Sequence, residues 1–266
     1  MMELRNNLYF FYKETQQIKD KVDGLKEFAV NQGFNLVQNS EEANIIASIG
    51  GDGAFLQAIR KTGFRDDCLY VGVSTGQLGI YCDFHIDEQE KMLEAMQFEE
   101  IEVRRYPIIS VVIDGDTEFY CLNECSIRTS TIKVITAEIY INDLHFETFK
   151  GDGIIVATPS GTSGYNKSVN GALIDPMLPC MQVSELASVN NNTFRTLGSS
   201  FVLNDDKELI LKIKKGDNSY PIIGLDNEAY SIRSNEEIKI TLPERRIKTV
   251  KLKNNSFWHK VQRSFL

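Results

Sequence analysis

The chain has 266 residues, 42% hydrophobic and 25% charged, enough for one large globular domain or two modest ones. Its formal net charge of -8 excludes a general nucleic-acid or anionic-membrane surface, so a phosphate ligand must be met by local amides, a few basic residues or a metal. An odd set of cysteines without C-x-x-C (Cys68, Cys82, Cys121, Cys125, Cys180), a start lacking a long apolar region and no run of membrane-spanning length together predict a soluble cytoplasmic protein with reduced thiols.

Residues 8–12, LYFFY, suit a core strand and lead into a helix with Ile18, Val22, Leu25 and Phe28 at helical spacing, which Gly33 ends. Residues 34–37 suggest a short strand. The stretch 45–58, IIASIGGDGAFLQA, then packs a buried strand, a glycine turn and a helix start into one unit. Ile45, Ile46 and Ile49 favour the strand, while Gly50, Gly51 and Gly53 let the backbone turn sharply and approach a ligand. Phe55, Leu56 and Ile59 line one face of the helix. The first N–H groups of such a helix favour phosphate, yet the ionisable group among them is Asp52. A carboxylate beside an anion site calls for a metal or for proton transfer; otherwise this is an ordinary strand-to-helix turn with Asp52 as a surface cap. G-x-G-x-x-G fails because Leu56 stands where its last glycine belongs, and no G-x-x-x-x-G-K-[ST] occurs.

Residues 69–73 form a further predicted strand, so the first half reads as right-handed βαβ crossovers on a parallel sheet. The glycine turn then falls at a carboxyl strand end, where such sheets bind ligands. A second glycine-rich segment, Ser74-Thr75-Gly76-Gln77-Leu78-Gly79, is either an opposing lip or a plain loop. Asp87 and Glu90 resemble a capping box for a helix whose Met92, Leu93 and Met96 are expected in the core. Beyond residue 100 the spacing changes to alternating runs: PIISVVID, TEFYCLNE, AEIYIND, LHFETF, GIIVATP, ELILKIKK, SYPIIGL and EEIKITL. With turns at Asp114-Gly115, Asn142-Asp143, Gly216-Asp217 and Ser234-Asn235, this half is expected to be largely antiparallel. A closing amphipathic helix over 256–261, carrying the sole tryptophan Trp258, is expected to dock.

Three clusters in the β-rich half carry chemistry. Asn123 and Glu124 together donate and accept, as an adenine edge and a ribose diol require, or they are polar residues at a strand end. Gly151-Asp152-Gly153 holds a carboxylate between flexible residues. The loop 158–168, TPSGTSGYNKS, offers hydroxyls, amides and one aromatic ring for phosphates and a base, and little to pack. Cys121 and Cys125 are close in sequence, but with His85, His145 and His259 scattered they fit core packing better than zinc.

Taken together, GGDG at 50–53, the Asn123-Glu124 pair and GDGIIVATPSGTSGYNKSVNGALIDP over 151–176 closely resemble the ATP-NAD kinases, which phosphorylate the adenosine-ribose 2′-hydroxyl of NAD. The similarity extends to Leu225-Asp226-Asn227 and the terminal FWHKV. It implies an α/β domain with a parallel sheet over 1–100, a β-rich NAD-binding domain over 101–245 and a tail, 246–266, returning to the first domain. By the same resemblance Asp52 is the catalytic base, and Gly51 and Gly53 lie at the ATP phosphates, with Asp52 and Gly53 also touching NAD. Asn123 and Glu124 would hold the adenosine, and Tyr165 would lie against a base. Asp152, Ser163, Gly164, Asn166, Lys167 and Ser168 would bind along the dinucleotide, and Lys150, Ala187, Asp226 and Asn227 at its periphery. The implied metal is Mg2+ carried with ATP rather than an ion ligated by this chain, and the implied assembly is a homo-oligomer, commonly a tetramer, without nucleic-acid or membrane partners. Ala54, Gly164 and Lys150 stand where the family usually has threonine, alanine and arginine. Rival readings are a GGDG-type lipid kinase, which would want a basic amphipathic helix, and a silent dinucleotide sensor, which would not need Asp52.

Overall fold

The aromatic run at 8–12 forms β1 (Asn7–Tyr12), a central strand of a parallel sheet. The computed structural model describes residues 6–215, 221–232 and 236–266, which divide into two units, 1–106 with 246–266, and 107–245. In the first unit β2 (Asn35–Leu36), β3 (Ile45–Ile49), β4 (Leu69–Ser74), β5 (Phe84–His85) and β6 (Ile101–Pro107) join β1 and the late strand Arg246–Leu252. Their order is β2-β1-β3-β4, the late strand, then β6, with β5 also on β4. The late strand runs parallel to β4, Thr249 opposite Tyr70, so the end of the chain completes the sheet that its beginning starts.

Parallel neighbours need helical crossovers, supplied by α1 (Gln16–Asn31) and α2 (Asp52–Lys61). Thr15 caps α1 through the Ile18 N–H, and Val22 and Leu25 pack with Leu8, Ala47, Ile49 and Val73. The capping box expected for α3 (Gln89–Gln97) does not form. Its N-cap is Glu88, without a side-chain hydrogen bond, because Asp87 turns instead to Lys21 Nζ at 2.8 Å. Met92 is buried there, whereas Met96 is exposed. The C-terminal helix Phe257–Phe265 docks through Phe257, Lys260 and Val261, while Trp258 is half-exposed. Among the described residues no helix is long and apolar enough to cross a membrane.

The second unit contains two six-stranded sheets in which every pairing is antiparallel. Its strands are β7 (Ile109–Ile113), β8 (Thr117–Cys121), β9 (Glu124–Arg128), β10 (Ile135–Ile141), β11 (Leu144–Gly151), β12 (Gly153–Ala157), β13 (Cys180–Leu186), β14 (Phe201–Asn204), β15 (Leu209–Ile213), β16 (Ile222–Leu225), β17 (Glu228–Ser231) and β18 (Glu237–Thr241). One sheet has the order β11-β10-β15-β18-β7-β8 and the other β14-β13-β12-β9-β16-β17. Both contribute to a shared core that includes Val111, Ile139 and Leu211 from one sheet and Ile127, Val156 and Val183 from the other. Cys121 and Cys125 belong to this core, and all five cysteines are buried.

Asp114 and Gly115, at φ 50° and 75°, are the left-handed central pair of the turn between β7 and β8, closed by the Asp116 N–H on the Ile113 carbonyl at 3.1 Å. Asn142, at φ 52°, turns β10 into β11. The predicted turns Gly216-Asp217 and Ser234-Asn235 lie outside the described residues. The run TEFYCLNE is not one strand: it breaks at Leu122-Asn123, where the chain leaves one sheet as β8 and enters the other as β9.

Candidate functional site

In the first unit the GGDG turn follows β3, with Gly50 at φ 142° and Gly51 as the N-cap of α2, so Asp52 is the first helical residue. A Cβ placed on Gly51 or Gly53 would meet nothing within 4 Å, and neither has a positive φ. Internal packing therefore does not demand glycine at either position. Bare amides at a helix N-terminus beside open space suit an anion.

Asp52 is not a surface cap. Its Oδ2 accepts the Ile80 N–H at 2.8 Å and its Oδ1 the Tyr81 N–H at 2.9 Å, so one donor holds each oxygen and the remaining lone pairs can take a hydroxyl. Gly79, the last residue of the second glycine-rich segment, lies against this carboxylate, and the two residues after it hold Asp52. Tyr81 is pinned from behind by stacking on Phe55 of α2, with centroids 5.1 Å apart and planes 8° from parallel. The helix that presents Asp52 thereby also fixes the segment that holds it.

In the second unit, Asp226 organises the Asn123-Glu124 corner. Sitting at φ 52° in the turn between β16 and β17, it accepts the N–H groups of Leu122, Asn123 and Glu124 at 2.9, 2.7 and 3.1 Å. Its own N–H donates to the Glu124 carbonyl at 2.9 Å. This clasp bends β8 into β9. Asn227 beside it is exposed.

Glu124 is buried, and its Oε2 has no hydrogen-bond partner. Burial foremost, then the nearby Asp226 charge, pushes its carboxyl up to about 8 against the Tyr165 N–H, so the group is largely protonated at neutral pH. A Cβ on Gly164 would approach Glu124 Oε2 to 2.9 Å and Asn123 Nδ2 to 3.5 Å, so glycine leaves this carboxyl room that alanine would crowd.

The 158–168 loop departs from the expectation that its hydroxyls are free. Thr158, Ser160 and Thr162 are fully buried and hold the loop to itself and to the Asn123 corner. Thr158 Oγ1 donates to the Leu122 carbonyl at 2.5 Å, and Thr162 Oγ1 donates to the Pro159 carbonyl at 2.6 Å while accepting the Ile174 N–H at 3.0 Å. Ser163 Oγ donates to the Ser160 carbonyl at 2.8 Å. Asn166 is likewise fully buried, with its amide bonded to the Ala172 carbonyl at 3.3 Å and Ser184 Oγ at 2.7 Å. Tyr165, Lys167 and Ser168 remain toward the surface, and the Arg128 guanidinium lies 5.6 Å from the Tyr165 ring centre.

The remaining expected residues lie on or next to β11 and β13. Asp152 links β11 to β12, donating its N–H to the Leu186 carbonyl at 2.9 Å. Ala187 follows β13 at φ 46°, exposed, and Lys150 on β11 sets its ammonium 4.3 Å over Phe194. The structure therefore gathers Asn123, Glu124, Gly164, Tyr165 and Asp226 around one corner. Ile80 and Tyr81 escape sequence reasoning because they act through backbone N–H groups, whereas Gly79 closes the second glycine-rich segment that the sequence marks. Among the described residues no group of three or more His, Cys, Asp or Glu side chains is placed to hold a metal ion.

A held carboxylate in a bare glycine turn on a parallel α/β unit, and an amide-carboxyl corner beside an aromatic ring on an antiparallel one, are groups that a nucleotide-dependent phosphotransferase can use. The family model of the ATP-NAD kinase C-terminal domain matches residues 122–252. NAD kinase 2 of Bacillus subtilis is 58% identical over 267 residues, covering all of both chains, and NAD kinase 2 of Geobacillus kaustophilus is 58% identical over 263 residues, covering 98% of each. The chain belongs to the NAD kinase family. The same fold is seen in yeast NADH kinase complexed with NADH, at a TM-score of 0.81 and 15% identity over 98% of this chain and 87% of that one. An NAD kinase from Archaeoglobus fulgidus in complex with ATP gives a TM-score of 0.75 at 22% identity over 96% and 98%.

Proposed function

We propose that this protein is an ATP-dependent NAD kinase that moves the γ-phosphoryl group of ATP to the 2′-hydroxyl of the adenosine ribose of NAD, making NADP. The observation that carries the mechanism is the Asp52 carboxylate, held by the Ile80 and Tyr81 N–H groups within a turn whose Gly51 and Gly53 leave open space. A ribose hydroxyl is a poor nucleophile at neutral pH, and a carboxylate within hydrogen-bond reach orients it and accepts its proton as phosphorus is attacked, worth about a hundredfold to ten-thousandfold. Amides at the start of α2 receive the ATP phosphates, and Mg2+ arrives with ATP as part of the substrate and spreads the phosphate charge.

Asn123 and Glu124 read the adenosine of NAD, Tyr165 stacks on a base, and Asp152, Ser163, Gly164, Lys167 and Ser168 line the dinucleotide, with Lys150, Ala187 and Asn227 beyond. Gly53 and Asp52 also touch NAD. Asp226 and Asn166 serve this reading differently, since their side chains bond within the protein and shape the pocket. The enzyme works in the cytoplasm as a homo-oligomer, a tetramer in the reading favoured by its resemblance. A coupled assay with ATP, Mg2+ and NAD, following NADP, tests the activity; light scattering tests the assembly. No NADP from the folded protein would overturn the assignment.

A further inference from the structure

Lys260 is 1% exposed, on the inward face of the C-terminal helix, and Lys251 of the late strand is wholly buried beside it. Burying two ammonium groups is costly unless something inside needs their charge. Lys260 Nζ donates to Asp83 Oδ1 and, at 2.9 Å, to the Ile80 carbonyl. Lys251 Nζ donates to the Tyr81 carbonyl and lies 3.6 Å from the same Asp83 oxygen. Asp83 Oδ2 is engaged by the Leu252 N–H at 2.8 Å. Two lysines thus share one carboxylate, and both point at the carbonyl side of the 80–81 segment.

The Ile80 carbonyl and the Tyr81 N–H belong to one peptide unit. An ammonium on the carbonyl end draws electron density toward it and makes the N–H end a stronger donor. That N–H is the one that holds Asp52 Oδ1. We infer that Lys260 is a positioning residue for phosphoryl transfer: anchored on Asp83, its ammonium fixes and polarises the Ile80-Tyr81 peptide, which in turn orients the Asp52 carboxylate. The inference rests on the reading of Asp52 as the base. A lysine serving only to fill the core would not need a carbonyl one peptide away from that carboxylate, and an apolar side chain would do as well. Charged groups facing Lys260 are Asp83, Lys251 and Arg104; burial foremost and Lys251 push its ammonium down to about 7 while Asp83 opposes them.

The test compares kcat and KM for the intact protein, Lys260→Met and Lys260→Gln, with Asp52→Asn alongside. Loss of the ammonium should lower kcat by about tenfold, with KM for NAD and ATP within about twofold. Lys260→Gln, uncharged and one bond shorter than lysine, should lower kcat likewise. If Lys260→Met does not fold, Lys260→Gln decides by the same split between kcat and KM. A kcat unmoved in a folded variant overturns the inference whatever the melting temperature does. Near-parental turnover of Asp52→Asn would instead overturn the base assignment beneath it.

Discussion

A Cβ built on Gly79 would lie 2.3 Å from Asp52 Oδ2 and 2.5 Å from Oδ1, so the backbone before Ile80 comes closer to the carboxylate than any other residue would allow. Gly79 has no positive φ, and its need for glycine is one of space alone. Gly79→Ala must therefore push Asp52 or the 79–81 segment aside and weaken the two N–H contacts. Since displacement of a reacting group by about 1 Å costs on the order of a hundredfold, kcat should fall by about that much while NAD affinity by calorimetry stays unchanged. Turnover within a few-fold of the parent would show that the contact does not govern Asp52.

Asp52→Asn tests the base and also the clasp. The amide removes the proton acceptor and should lower turnover by about a hundredfold or more. It also turns an NH2 toward one of the two N–H groups, leaving that donor unpaired at a cost of about 1–3 kcal/mol. A drop in melting temperature should therefore accompany the loss of rate, with NAD binding retained. If the variant turns over like the parent, proton transfer belongs to another group.

The glycine turn, the parallel alternation before residue 100 and the antiparallel runs after it are legible because period and turn chemistry are local. What holds Asp52 is not, since the Ile80 and Tyr81 N–H groups are backbone and any residue supplies them. The hydroxyls of Thr158, Ser160 and Thr162 read as exposed because their types favour surfaces, yet the Leu122 and Pro159 carbonyls give them buried partners. Asp226 reads as a peripheral contact, but only the fold brings it within reach of three N–H groups more than 100 residues away. Lys260 lies in a short helix whose tryptophan draws attention, and nothing local reveals that the lysine, not Trp258, faces inward.

Glu124 should make both stability and NAD binding depend on pH. Its folded value is about 8 against 4.5 unfolded, so between these the folded state holds a proton that the unfolded state has lost. Its contribution to stability is full below about 4.5 and declines as pH rises through about 8. Glu124→Gln, which stays neutral, should remove this decline, and melting curves from pH 5 to about 9 should converge toward the acid end. If NAD donates to Glu124, binding favours the carboxylate and releases a proton near neutrality, seen by calorimetry in buffers of different ionisation enthalpy. Glu124→Ala should weaken NAD by about 1–3 kcal/mol and leave KM for ATP in place. Buffer-independent binding heats, with unchanged affinity, would return this residue to a structural part.

Ala54 is the third residue of α2, since Gly51 is the N-cap, and its N–H already bonds the Gly51 carbonyl at 2.9 Å. A hydroxyl introduced here cannot act as the N-cap acceptor, because that position belongs to Gly51. Threonine, the usual residue of the resembled motif, is also stiff at χ1 and slightly unfavourable in a helix, so Ala54→Thr should leave the melting temperature level or a little lower. What the hydroxyl can reach from the first turn is an anion at the helix start, where Gly51 and Gly53 leave space. One added hydrogen bond should tighten ATP by about 0.5–1.5 kcal/mol and leave NAD affinity unchanged. KM for ATP and the melting temperature, measured together, decide the matter: a gain in stability with KM unaltered rejects the phosphate contact, and a lower KM on an unchanged melting curve supports it.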